Sequence, residues 1–106
     1  MYRVVIKHTR PNTNVDFFNP KTSPLITAEA KMYIRDTYML TGKIIHTEDA
    51  LSEDGLTLTL TSMYPDEATY NQWKSDTFVN ENIYEIGRQY REANGIVAVI
   101  ESAEEI

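Results

Sequence analysis

The side chains best suited to chemistry are two histidines, His8 and His46, a single tryptophan, Trp73, and an acidic cluster of Asp49, Glu53 and Asp54. Each histidine could titrate near neutrality and pass a proton. Both lie in strand-like stretches, and the order of elements derived below separates those strands by a third, about 10 Å, too far for a shared metal ion. The three acids lack the alternating oxygen ligands of a calcium loop and read as a solvated turn. With no cysteine there is no disulfide, no thiolate metal site and no thiol nucleophile. Four glycines in the whole chain form no phosphate cradle. The sequence thus predicts no metal and no cofactor.

Trp73 sits in the most informative stretch, Tyr64 to Phe78, which joins the best strand pattern to the longest helical one. Tyr70 and Trp73 lie one helical turn apart and share a face, either as core or as the wall of a pocket. His8, Met63, Tyr70, Trp73 and Phe78 are the candidate pocket residues. A second candidate region is the stretch from Arg10 to Pro24, whose prolines and asparagines forbid regular structure, yet which carries Val15, Phe17 and Phe18. Large apolar side chains in a long loop pack over a core edge, a ligand mouth or a partner. Val15, Phe17 and Phe18 are the candidate partner contact.

The elements that must position these residues follow from periodicity. Tyr2 to Thr9 alternates as a strand, with Tyr2, Val4, Ile6 and His8 on one side. Ser23-Pro24 predicts the start of a helix running to about Leu40, with Ile26, Ala30, Tyr33, Ile34 and Thr37 on its inner face, ended at Gly42. Lys43 to Thr47 reads as a short strand, Glu48 to Gly55 as an acidic connection with a reversal at Asp54-Gly55, and Leu56 to Tyr64 as the next strand. A helix opens near Asp66 and restarts at Ser75 or Asp76. Val79, Ile83, Ile86, Tyr90 and Ala93 then form a stripe that Asn94-Gly95 stops. Gly87 interrupts that helix and predicts close packing against another backbone. Ile96 to Ile100 is apolar throughout, as in a strand buried on both faces, and the acidic end from Glu101 to Ile106 is expected to fray.

The resulting order, β-α-β-β-α-β in one domain over residues 1–106, is the ferredoxin-like α+β arrangement, with helices on one face of a four-stranded antiparallel sheet. A small domain with an apolar second sheet face gains by pairing, so a homodimer closed through the sheets is expected. The net charge of −6, from sixteen acids and ten scattered bases, argues against a nucleic-acid partner. No apolar run reaches the roughly 20 residues of a membrane span and no leader pattern precedes the first strand, so a cytoplasmic protein is expected.

Tyr64, the acids Asp66 and Glu67, Tyr70, Trp73, Ser75 and Phe78 together resemble a segment of the antibiotic-biosynthesis-monooxygenase superfamily, the dimeric α+β barrels. The resemblance covers about a seventh of the chain and implies the same fold and a dimer. In its haem-degrading branch it implies a tryptophan beside the haem, an asparagine late in the first strand and a histidine about ten residues after the tryptophan. Trp73 matches the first, but Lys7 and His8 stand at the strand positions and Ile83 at the histidine position, so no axial haem ligand is implied here. Two function classes follow. One is a non-catalytic interaction or regulatory protein whose aromatics are core. The other is a cofactor-independent monooxygenase, or a protein binding a small apolar or aromatic molecule, with its pocket beside Trp73.

Overall fold

Alternation along β1 (Tyr2–Thr9) decides which way the sheet faces. Tyr2, Val4 and His8 are buried while Lys7 and Thr9 are exposed, so the even residues point at the helices. The structure, a computed structural model, describes all residues 1–106. Its four strands are ordered β2-β3-β1-β4 and all pairs are antiparallel, the ferredoxin-like arrangement, with β2 (His46–Leu51), β3 (Thr57–Tyr64) and β4 (Val97–Glu105). Because paired residues share a face, the pairings Tyr2 with Tyr64 and His8 with Leu58 put the leucines of β3 under the helices. Thr57, Thr59, Thr61 and Met63 line the opposite, bare face.

Three expectations for the strands change. β2 extends to Leu51, taking Glu48 and Asp49 out of the connection and into the ladder with β3. The reversal then needs only Ser52 to Leu56, held by the Ser52 and Asp54 side chains, with Gly55 at φ 74°. The acidic end does not fray: Arg3 pairs with Glu104 and Lys7 with Glu101, and the Ile106 N–H donates to the Met1 carbonyl, so β4 runs to Glu105 past a bulge opposite Val5/Ile6. Finally, the apolar part of β4 is not covered within one chain. Val97, Val99 and Ile100 are 61%, 57% and 56% exposed on an edge strand.

The first helix also starts later than Ser23-Pro24 predicts. Those residues form a turn, with the Ser23 carbonyl accepting from the Ile26 N–H and Ser23 Oγ from the Leu25 N–H. Proline suits the second position of such a turn as well as it suits a helix start. The cap is Thr27, whose Oγ1 accepts from the Ala30 N–H at 3.1 Å, and α1 spans Ala28–Ile34. A π turn, Arg35–Met39, continues it, with the Leu40 N–H reaching back to the Arg35 carbonyl. The extra residue in that turn swings Tyr38, fully buried, into the inward place that α-helical spacing gives to Thr37.

After β3, Asp66 caps α2 (Glu67–Ser75) through the Thr69 N–H. Asp76 caps the restart, α3 (Thr77–Val79), which passes through a π turn, Asn80–Tyr84, into α4 (Glu85–Asn94). Gly95, at φ 69°, ends it. The stripe is buried at Val79 and Ile83, but Ala93 is exposed and Gly87 takes an inward place. What approaches Gly87 is side chains and not a backbone: a Cβ there would lie 3.0 Å from Phe18 Cε1 and 3.1 Å from the flexible end of Arg91, at Nη1.

That contact yields a test by double-mutant cycle. Gly87→Ala in the natural protein should lower stability by about 1 kcal/mol, because the Phe18 ring must yield. In a Phe18→Ala background the same change should stabilise by up to about 1 kcal/mol, the helix-propensity gain of alanine over glycine. Denaturant titrations showing the same sign in both backgrounds would mean that the ring does not set the cost.

Candidate functional site

The side chains around Trp73 fill their own space. Its ring meets Tyr38 edge-on at 4.7 Å between centroids and Tyr84 at 5.7 Å. Tyr38 in turn meets Tyr33 at 6.3 Å, and Tyr33 lies 4.3 Å from Phe78. Tyr70 belongs to an adjoining group, stacked on Tyr2 at 5.5 Å and tilted against Tyr64 at 5.1 Å. Such contacts are worth about 0.5–1.5 kcal/mol each beyond the area they bury. The hydroxyls are held neutral. Burial pushes Tyr38, Tyr64 and Tyr84 well above the ordinary phenol range, and for Tyr38 the nearby Asp76 adds to it.

Asp76 is the polar centre of this group. Its Oδ2 accepts from Tyr38 at 2.5 Å and from Tyr33 at 2.7 Å, while Oδ1 accepts from the Val79 N–H at 3.2 Å. Desolvation opposes the charged form, but these donors outweigh it and hold the carboxyl below the usual aspartate range. Tyr33, Tyr38, Asp76 and Tyr84 were not among the candidates from sequence. The capping signal at Asp76 is legible and Tyr33 is expected on the inner helix face, but Tyr38 is not, because it enters through a π turn.

The five candidate pocket residues do not gather. Met63 pairs with Arg3 and His46 and therefore lies on the bare face, across the sheet from Trp73. His8 is six residues along β1 from Tyr2, about 20 Å at strand rise. It is buried, and loss of hydration, with Arg91 nearby, lowers its pKa below the ordinary histidine value. Tyr70, Trp73 and Phe78 remain together as packing residues. His46 lies exposed on the bare face, 3.0 Å from Glu48. No group of three metal-binding side chains converges anywhere.

The space lies instead at the other end of the helix layer, beneath the segment 10–25. A cleft of about 760 Å³ opens there, with Phe17, Phe18, Leu51, Leu58 and Tyr90 among its walls and Arg10 and Asp16 as its only charged residues. That volume is within the range of roughly 300–1,000 Å³ typical of ligand sites. Its loop is anchored at several points. Arg10 Nε donates to the Gly55 carbonyl at 2.8 Å and Nη1 to the Val15 carbonyl at 2.9 Å, with the guanidinium 4.5 Å above the Phe17 ring. Tyr90 donates to the Asp16 carbonyl at 2.7 Å, and Phe18 packs on the Tyr90 ring at 5.7 Å. Trp73 lines neither this cleft nor a smaller one of about 340 Å³ beside Lys21, Lys31 and Arg35.

Comparison with solved structures agrees with the topology. A Deinococcus radiodurans protein, provisionally assigned as an antibiotic biosynthesis monooxygenase, superposes with a TM-score of 0.53 at 10% identity, over all of this chain and 92% of that one. Rv0793 from Mycobacterium tuberculosis gives a TM-score of 0.44 at 12% identity, over all of this chain and 98% of that one. No protein-family model matches the sequence, and no curated protein does. At such identity the likeness concerns the fold. The chain has the ferredoxin-like α+β fold seen in that superfamily, as the Tyr64–Phe78 resemblance implied.

Removing the Asp76 carboxylate should be costly. Asp76→Ala deletes a helix cap and strands the buried Tyr38 hydroxyl, a loss of about 2–4 kcal/mol. Because the folded pKa is depressed, the carboxylate's contribution is complete above its unfolded value of about 4 and drains away as pH falls through the lower, folded one. Acid titration followed by circular dichroism should therefore show a shallower loss of stability below pH 4 in the variant than in the natural protein.

Proposed function

We propose that this protein is a non-catalytic binding protein that takes a small apolar or aromatic molecule in the cleft beneath the 10–25 segment and acts as a homodimer. The observation that carries the reading is the cleft itself, an aromatic-walled space under a loop tied down by Arg10 and Tyr90. Regulation through ligand binding suits such a site, because its roof is irregular chain held by isolated bonds, whose position a ligand could bias. Oxygenation at Trp73 has less support, since the indole packs against Tyr38 and Tyr84 and borders neither cavity.

The dimer part of the proposal is supported by the bare sheet face. It carries Val5, Met63, Val97 and Val99 among threonines, together with both signs of charge, Arg3 and Lys7 beside Glu48, Glu101 and Glu104. A surface with both signs can complement itself across a two-fold axis. Sedimentation equilibrium at micromolar concentration should return twice the 12.2 kDa chain mass. A purely monomeric result would remove this part.

The cleft is tested by ligand-observed NMR with a set of small aromatic compounds. Saturable binding is expected with dissociation constants in the micromolar to millimolar range. Phe18→Ala should weaken it by roughly tenfold, the loss expected when an aromatic wall is removed. Compounds that bind the natural protein and Phe18→Ala alike would place the site elsewhere.

A further inference from the structure

Arg10 is the only cation lining the cleft, and it takes part in none of the chain's seven ion pairs. A guanidinium has five N–H donors in a planar fork. Here Nε and one hydrogen of Nη1 are occupied by the Gly55 and Val15 carbonyls. Nη2 makes no hydrogen bond within the protein. The group is half-buried, held by two backbone carbonyls from separate segments and seated on the Phe17 ring, so its orientation is already set before any ligand arrives.

We propose that the cleft selects monoanionic aromatic carboxylates, with Arg10 as the anchoring cation and Phe17, Phe18 and Tyr90 as the walls for the ring. This rests on the cleft being the ligand site. Three of the five guanidinium N–H groups make no bond within the protein and are left to donate to a carboxylate, and charge-assisted hydrogen bonds of that kind are about twice as strong as neutral ones. The aromatic walls suit a flat ring system. Asp16, the one acid in the lining, sets the charge limit, since it would repel a second negative group on the ligand. The Tyr90 hydroxyl, already donating to the Asp16 carbonyl, holds the loop in place around the ring.

Isothermal titration calorimetry with naphthalene carboxylate and its neutral carboxamide separates the two levels of the argument. The natural protein should bind the carboxylate at least roughly tenfold more tightly than the carboxamide, and raised salt should narrow the gap. Arg10→Gln removes two loop anchors, so both affinities should fall, but their ratio should approach one; Arg10→Lys, which keeps the charge without the fork, should retain a preference of roughly a few-fold. Equal binding of both compounds to the natural protein overturns the selection for anions and leaves the cleft as a ligand site. A preference that persists in Arg10→Gln overturns the role of Arg10. Binding of neither compound overturns the cleft as the site for flat aromatic molecules, and the selection with it.

Discussion

The helix layer hangs on one carboxylate. Asp76 stands where α2 breaks and α3 begins, at the positive end of a short helix, and receives three donors from two directions. Two of those donors are phenols from the α1 region, at Tyr33 and Tyr38, so the contact joins segments about forty residues apart: 43 and 38 positions in sequence. A fully buried tyrosine such as Tyr38 could not be placed there without an acceptor, because an unsatisfied hydroxyl costs about as much as its packing contributes. Once the acceptor is present, the ring of Tyr38 supports Trp73, and Trp73 supports Tyr84.

This arrangement divides the space above the sheet. At one end the helices are tied to each other through Asp76 and the aromatic rings pack on one another. At the other end the covering element is the irregular segment between β1 and α1, which has no ladder of its own and is held by isolated bonds from Arg10 and Tyr90. Gly87 lets that segment come close: a Cβ there would press on the Phe18 ring at 3.0 Å, and the ring would have to shift away from α4. A cleft persists where side chains arch over from a loop, whereas paired helices would interlock and fill it. The division between a packed end and an open end thus follows from which segments can form regular structure.

Much of this was legible from periodicity. The alternation in β1 and β3, the caps at Asp66 and Asp76 and the glycine stop at Gly95 are local signals, and each stands where local chemistry puts it. The misreadings have non-local causes. Ser23-Pro24 serves a turn because Thr27 offers the helix a cap with better placed geometry, and Ser-Pro alone does not distinguish the two. Tyr38 was missed because a π turn changes the period within the helix, and nothing in the residues Arg35 to Met39 announces it. The acidic tail looked frayed because pairing with Arg3 and Lys7 depends on a partner strand a hundred residues away. Met63 was grouped with Trp73 because proximity in sequence says nothing about which side of a pleat a residue takes until the register is known.

The stretch from Tyr64 to Phe78 shows how a fold signal and a function signal can separate. Its residues resemble a known superfamily, and in this chain they pack on one another and on their neighbours: Tyr64 on Tyr70, Trp73 on Tyr38 and Tyr84, Phe78 on Tyr33. The residues that shape the cleft, by contrast, come from a loop with no recognisable spacing and from single positions on β2, β3 and α4. Such residues meet only in three dimensions. Their grouping depends on strand order, on the reach of the Arg10 side chain and on the missing Cβ at Gly87, none of which has a period that a sequence could display.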